Sequence, residues 1–102
     1  MHTIDLDASR WTKLQDFYDA LLLAVGAPPW HGTGINAFVD SMIYGGINSL
    51  EPPYTIRIHH LRESPKDVLD EVELTKNYLG EHRAHFRAQY GRDVEVRLEI
   101  LS

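Results

Sequence analysis

Cysteine is absent from this 102-residue chain. That excludes a disulfide framework, a thiolate metal site and a cysteine nucleophile. Basic residues are few, 10 Lys and Arg against 15 Asp and Glu, for a formal net charge of −5. Phosphate contacts need clustered Lys and Arg, so direct nucleic-acid binding is not expected, and an acidic surface suits a basic protein partner. Long apolar runs are also missing. The longest, around Ala20 to Val25, falls far short of the roughly 20 residues that cross a bilayer. Met1 to Asp5 shows neither the basic start nor the apolar stretch of a signal peptide. Together these absences point to a reducing, cytoplasmic setting with no membrane association. No internal repeat or low-complexity stretch is present.

The length suits one domain over residues 1–102 with one modest core. His2 to Asp7 reads as a strand, with Ile4 and Leu6 on one face. Ser9 is the expected cap of a first helix, whose buried side carries Trp11, Leu14, Tyr18, Leu21, Leu22 and Val25 and which Gly26 stops. A loop, Ala27 to Thr33, leads to a second helix from about Gly34. Its apolar stripe is Ile35, Phe38, Val39, Met42 and Ile43, and Gly45-Gly46 ends it. Tyr54 to Leu61 alternates as a second strand. Ser64-Pro65-Lys66-Asp67 predicts a helix start with serine as cap and Asp67 in a capping-box position.

Apolar spacing continues from Val68 to Tyr90. Unbroken, that helix would be roughly 39 Å long against strands of about 26 Å. A bend near Gly80, or an overhang, is therefore expected. Asp93 to Leu101 forms the last strand. The order β-α-α-β-α-β implies parallel pairing through helical crossovers. Alternation in every strand predicts a two-layer α/β fold, with helices on one face of a small three-stranded parallel sheet. Thr55, Arg57, Glu95, Arg97 and Glu99 would face water on the other side.

The segment Pro28-Pro29-Trp30-His31-Gly32-Thr33-Gly34-Ile35-Asn36-Ala37-Phe38-Val39-Asp40 is the most distinctive. A rigid turn delivers an aromatic residue to a glycine-flanked helix start. Asn36, Asp40 and Tyr44 then follow at one-turn intervals, a ridge beside the buried stripe, with Trp30, His31 and Thr33 at its rim. Trp and Tyr are favoured contact residues because they bury much area at low entropic cost. The plainer alternatives are that Asp40 is a solvated helix residue and that Trp30 covers the core.

Other chemistries have weaker grounds. Gly32-Thr33-Gly34 lacks the lysine of a phosphate loop. His59 and His60, adjacent on a strand, would face opposite ways. His82 and His85 share a helix face, with Glu81 and Glu95 as the remaining acidic candidates, but no third ligand is evident. No metal, cofactor or catalytic residue is therefore expected. A small hydrolase using His59 or His60 near Ser64 is the weakest reading, because no triad spacing supports it.

The segment resembles the barstar family, intracellular inhibitors of barnase-type ribonucleases, whose members read Pro-x-aromatic-aromatic-Gly-x-Asn-Leu-Asp-Ala-Leu-x-Asp there. Gly32, Ala37 and Asp40 match that pattern, Ile35, Phe38 and Met42 match its apolar positions, and Trp30 and His31 fall on its aromatic pair. Asn36 stands where the family has an acid, Gly34 where it has an asparagine, and Val39 where it has an exposed tryptophan.

The resemblance covers most of the chain, with extra length around Arg62 to Gly80. It implies a three-stranded parallel sheet packed by helices. It also implies an inhibitor, or a toxin's immunity partner, that plugs a basic ribonuclease with the second helix and its preceding loop. Asp40 would stand in for a substrate phosphate. The alternative is the same fold serving as an interaction module for a non-nuclease partner.

Overall fold

A computed structural model describes residues 2–101. In chain order the elements are β1 (His2–Asp7), α1 (Leu14–Val25), α2 (Ile35–Tyr44), β2 (Tyr54–His59), a single 3-10 turn at Leu61–Glu63, α3 (Lys66–Tyr90) and β3 (Val96–Leu101). The sheet has the order β1-β2-β3, and both pairings are parallel, with His2 opposite Tyr54 and Tyr54 opposite Val96. This is the small open α/β sheet with helices that the alternation predicted.

The core forms where the apolar stripes meet. Phe17, Leu21 and Val25 of α1, Phe38, Val39, Met42 and Ile43 of α2, and Val68, Val72, Leu79 and Phe86 of α3 cover Tyr54, Ile56, Ile58, Val96 and Leu98 of the sheet. Each large apolar side chain fully buried this way contributes about 1.5–3 kcal/mol. Tyr18 ties α1 to α3 by donating its phenol hydrogen to the Glu71 carboxylate. Burial, with that carboxylate beside it, pushes the Tyr18 phenol up to about 12.

Several local expectations change. Ser9 caps nothing: α1 starts at Leu14, and Asp16 reaches back to accept from the backbone N–H of Thr12 (2.8 Å) and Lys13 (3.3 Å). Ser9 instead donates its backbone N–H to Asp7. Pro65, not Ser64, occupies the cap position of α3. The Ser64 hydroxyl turns inward and donates to the Ala8 carbonyl at 3.0 Å. The Ala8 carbonyl thus accepts twice, from the Ser64 hydroxyl and from the Trp11 N–H at 3.1 Å, using both lone pairs where the chain leaves β1.

The second strand stops at His59, because His60 takes a left-handed backbone (φ 62°) and turns the chain. The two histidines therefore do not alternate along one strand. The third strand begins at Val96 rather than Asp93, so Glu95 lies just outside it. Thr55 is buried rather than facing water. It lies on the central strand, in register with Thr3 on one side and Arg97 on the other.

Beside Thr55 the polar face keeps its charges in rows. Asp5, Arg57 and Glu99 are in register across the sheet, with Arg57 Nε 3.5 Å from Asp5. The third helix runs 25 residues without a break at Gly80. At roughly 37 Å it nearly equals the 39 Å long axis of the molecule. It therefore overhangs a sheet only about 20 Å deep.

Candidate functional site

The loop before α2 is built by its prolines. Pro29 sits at the second position of a β-turn that the His31 N–H closes onto the Pro28 carbonyl at 3.0 Å. Trp30, at the third position, is thrown outward and remains 73% exposed. It does not cover the core. Gly34 then enters the helix with φ 105°, a backbone that side-chain-bearing residues rarely adopt. The Phe38 N–H closes onto the Gly34 carbonyl at 3.2 Å.

His31 is the fixed point of the loop. Its ring stacks on Phe38 at 5.6 Å and 23°. Its Nε2 lies 2.8 Å from Ser41 Oγ, and its Nδ1 lies 2.5 Å from the Gly32 carbonyl oxygen. Asn48 Nδ2 donates to the same Ser41 oxygen at 3.0 Å. A carbonyl only accepts, so Nδ1 carries a proton, and in the neutral ring Nε2 accepts the Ser41 hydroxyl. The Ser41 hydroxyl also lies within donating distance of the Phe38 carbonyl, 3.2 Å away.

The linker that supplies Asn48 is itself anchored. The backbone N–H groups of Ser49 and Leu50 donate to the carbonyls of Gly26 and Val25, each at 3.0 Å. Gly26 has φ +64°, and a Cβ there would lie 2.7 Å from Ser49 Cβ, so only glycine fits this junction.

On α2, Asn36 and Asp40 are exposed and Tyr44 is 47% exposed. Asp40 makes no ion pair or side-chain hydrogen bond among the described residues. Trp30, His31 and Asp40 line one shallow groove of about 200 Å³ with Gly32, Ala37, Ser41 and Ile47. Thr33 and Asn36 lie outside that groove, both exposed. Tyr44 borders a separate depression with Glu51, Phe86 and Arg92. Its ring meets the edge of Phe86 at 5.7 Å, and the Arg92 guanidinium lies 5.6 Å from the Phe86 centroid.

Two residues of the groove escape a reading of the sequence. Ser41 looks like any polar helix residue, yet it is buried and holds the loop. Ile47 looks like linker, yet it is 42% exposed beside Trp30. A serine wedged among the apolar positions Val39, Met42 and Ile43 was the available signal.

The histidines outside the loop have local partners. His59 Nε2 lies 2.8 Å from Asp5, and His60 lies 3.2 Å from Glu63. The His59 contact draws the Asp5 carboxyl below its usual range. His82 and His85 border an open depression with Glu81. Among the described residues no group of three or more His, Asp or Glu is placed to hold a metal ion. Nor is any helix there long and apolar enough to cross a membrane.

No curated protein matches the chain. A family model described as barstar, the barnase inhibitor, matches residues 1–99. That match takes in all three parallel strands up to Glu99, all three helices and the whole Pro28–Asp40 segment. Sheet order, helix order and family model thus agree, and the chain belongs to the barstar family.

Proposed function

We propose that the chain inhibits a basic ribonuclease by occluding its active site with α2 and the loop before it, as a toxin's immunity protein does. The family model supports an inhibitor's role in general. The observation that carries the finer reading is the exposed ridge of Asn36, Asp40 and Tyr44 beside an outward-facing Trp30.

Each side chain has a physical part in this reading. The Asp40 carboxylate, unspent within the molecule, takes the place of a substrate phosphate among the nuclease's cations. Trp30 brings a large rigid surface at low entropic cost. His31, pinned by Ser41, presents a preorganised rim with Thr33. Asn36 and Tyr44 extend the contact along the helix. The net charge of −5 speeds encounter with a basic partner.

The test is a titration of barnase-class ribonuclease activity with wild type and Asp40→Ala. Asp40 is exposed, so the variant should keep its fold. Stoichiometric inhibition weakened by more than about tenfold in the variant, some 1.4 kcal/mol, is the expected result. A second reading, a basic partner that is not a nuclease, draws on Asp40 being the lone carboxylate of α2. Wild type that leaves the nuclease untouched at micromolar concentration, while capturing another basic protein through Asp40, would replace the first reading with the second.

A further inference from the structure

A second surface lies away from α2. β3 is an edge strand, with β2 as its neighbour on one side. The Tyr54 N–H donates to the Glu95 carbonyl at 3.0 Å. In a parallel ladder the bonding groups of alternate residues point the same way. Glu95, Arg97 and Glu99 therefore turn their amides and carbonyls toward β2. Leu98 and Ile100 turn theirs outward, along an edge with no proline in Val96–Leu101 to block it.

Beside this edge runs α3. Between them lies a groove of about 290 Å³, floored by Leu79, Val96 and Leu98. Gly80 also lines it, exposed and without a side chain to fill the space; a Cβ there would meet nothing within 4 Å.

The charge of this groove runs against that of the molecule. Lys76, Arg83 and Arg97 line it against one carboxylate, Glu99. Arg83 is committed to Asp93 through two bonds of 2.8 and 2.6 Å. Arg97 reaches Glu95 only at 3.4 Å. Lys76 is exposed and makes no ion pair among the described residues. A strand edge flanked by a helix, with an apolar floor and cationic rim, is the arrangement that takes an extended peptide by strand addition.

We propose that this groove binds an extended acidic segment of a second protein, laid beside β3 as a fourth strand. Backbone groups of Leu98 and Ile100 hold the strand, alternate apolar side chains enter the floor on the side of Lys76, and the carboxylates between them, on the opposite face of the strand, meet Arg97. The surface is separate from α2, so its occupancy does not depend on the inhibitor's site.

The probe is a short fluorescent peptide alternating glutamate with valine, titrated by anisotropy into the full chain, with a lysine–valine peptide as counterpart. The acidic peptide should saturate and the basic one should not. Arg97→Glu should weaken binding roughly tenfold, Lys76→Glu should weaken it less, and Glu99→Lys should tighten it. Gly80→Trp, on an exposed helix face, should fill the groove and abolish binding while circular dichroism shows an intact fold.

Amide NMR shifts on peptide addition should centre on Leu98 and Ile100. Equal binding of both peptides, shifts centred on α2, or self-association of the chain without peptide binding would each overturn the proposal.

Discussion

Ser41 shows how one buried hydroxyl sets the shape of an exposed surface. It joins α2, the Trp30 loop through His31 and the following linker through Asn48. Ser41→Ala removes an acceptor from Asn48 Nδ2 and a partner from His31, leaving buried polar groups unpaired. The expected cost is about 1–3 kcal/mol, read as a lower urea midpoint with an unchanged slope. Partner binding should fall as well, because His31 and Trp30 are no longer held in place. Equal stability of wild type and variant would mean that water replaces the hydroxyl. The exposure of Asn36 and Asp40 was legible from their helical spacing, since a 3.6-residue period places both beside the stripe. The role of Ser41 was not, because the period places a residue on a face without saying which side chain from another segment meets it.

At the scale of elements, helix and strand identities followed from apolar period, and so did the bounds of β1, the Gly26 stop of α1 and the glycine-marked ends of α2, while other ends did not. The start of α1 departs from a cap at Ser9 because an acceptor three or four residues inside a helix does the work of a cap before it, as Asp16 does. The end of β2 comes earlier than the alternation implies because His60 takes a left-handed backbone that no pattern in the run Tyr54 to Leu61 announces. Of the two expectations for the long apolar spacing, a bend near Gly80 or an overhang, α3 takes the overhang: it passes through Gly80 unbroken, held by Thr75, Leu79 and Phe86 packing on either side. Its glycine is then a plain loss of helix propensity. Gly80→Ala places a methyl in open space and should stabilise the protein by about 0.5–1 kcal/mol, measured as a raised denaturation midpoint. A destabilised variant would show that the helix needs a soft point there.

For the molecule as a whole, acid is the condition that tests its electrostatics. The Arg83 guanidinium holds the Asp93 carboxyl at about 2, below its ordinary 3.8. Asp5, through His59, and Asp16, through the Thr12 N–H, are lowered as well. Carboxyls that ionise lower in the folded state bind their protons first when unfolded. Their contribution is therefore complete above about pH 4 and drains away as pH falls toward 2. Urea midpoints measured from pH 5 to pH 2 should fall steadily, and Asp93→Asn should flatten that fall. An unchanged slope in the variant would assign the loss to the other carboxylates.

The parallel sheet also governs how the molecule is made. His2 meets Tyr54 and Tyr54 meets Val96, so each strand pair closes a loop of about forty to fifty residues, and no hairpin offers a cheaper start. The expected rate-limiting step is then the docking of the helices, with the ladder zipping afterwards. Ile56→Val, at the centre of the ladder, should accordingly speed unfolding while leaving the folding limb of the chevron nearly unmoved, for a loss of about 0.5–1.5 kcal/mol. A slowed folding limb would put the sheet in the nucleus. If the ladder is last to form, a young chain would show its strand edges to its neighbours for longer than a hairpin-built protein of the same size, and crowding during synthesis would be the hazard its sequence has to survive.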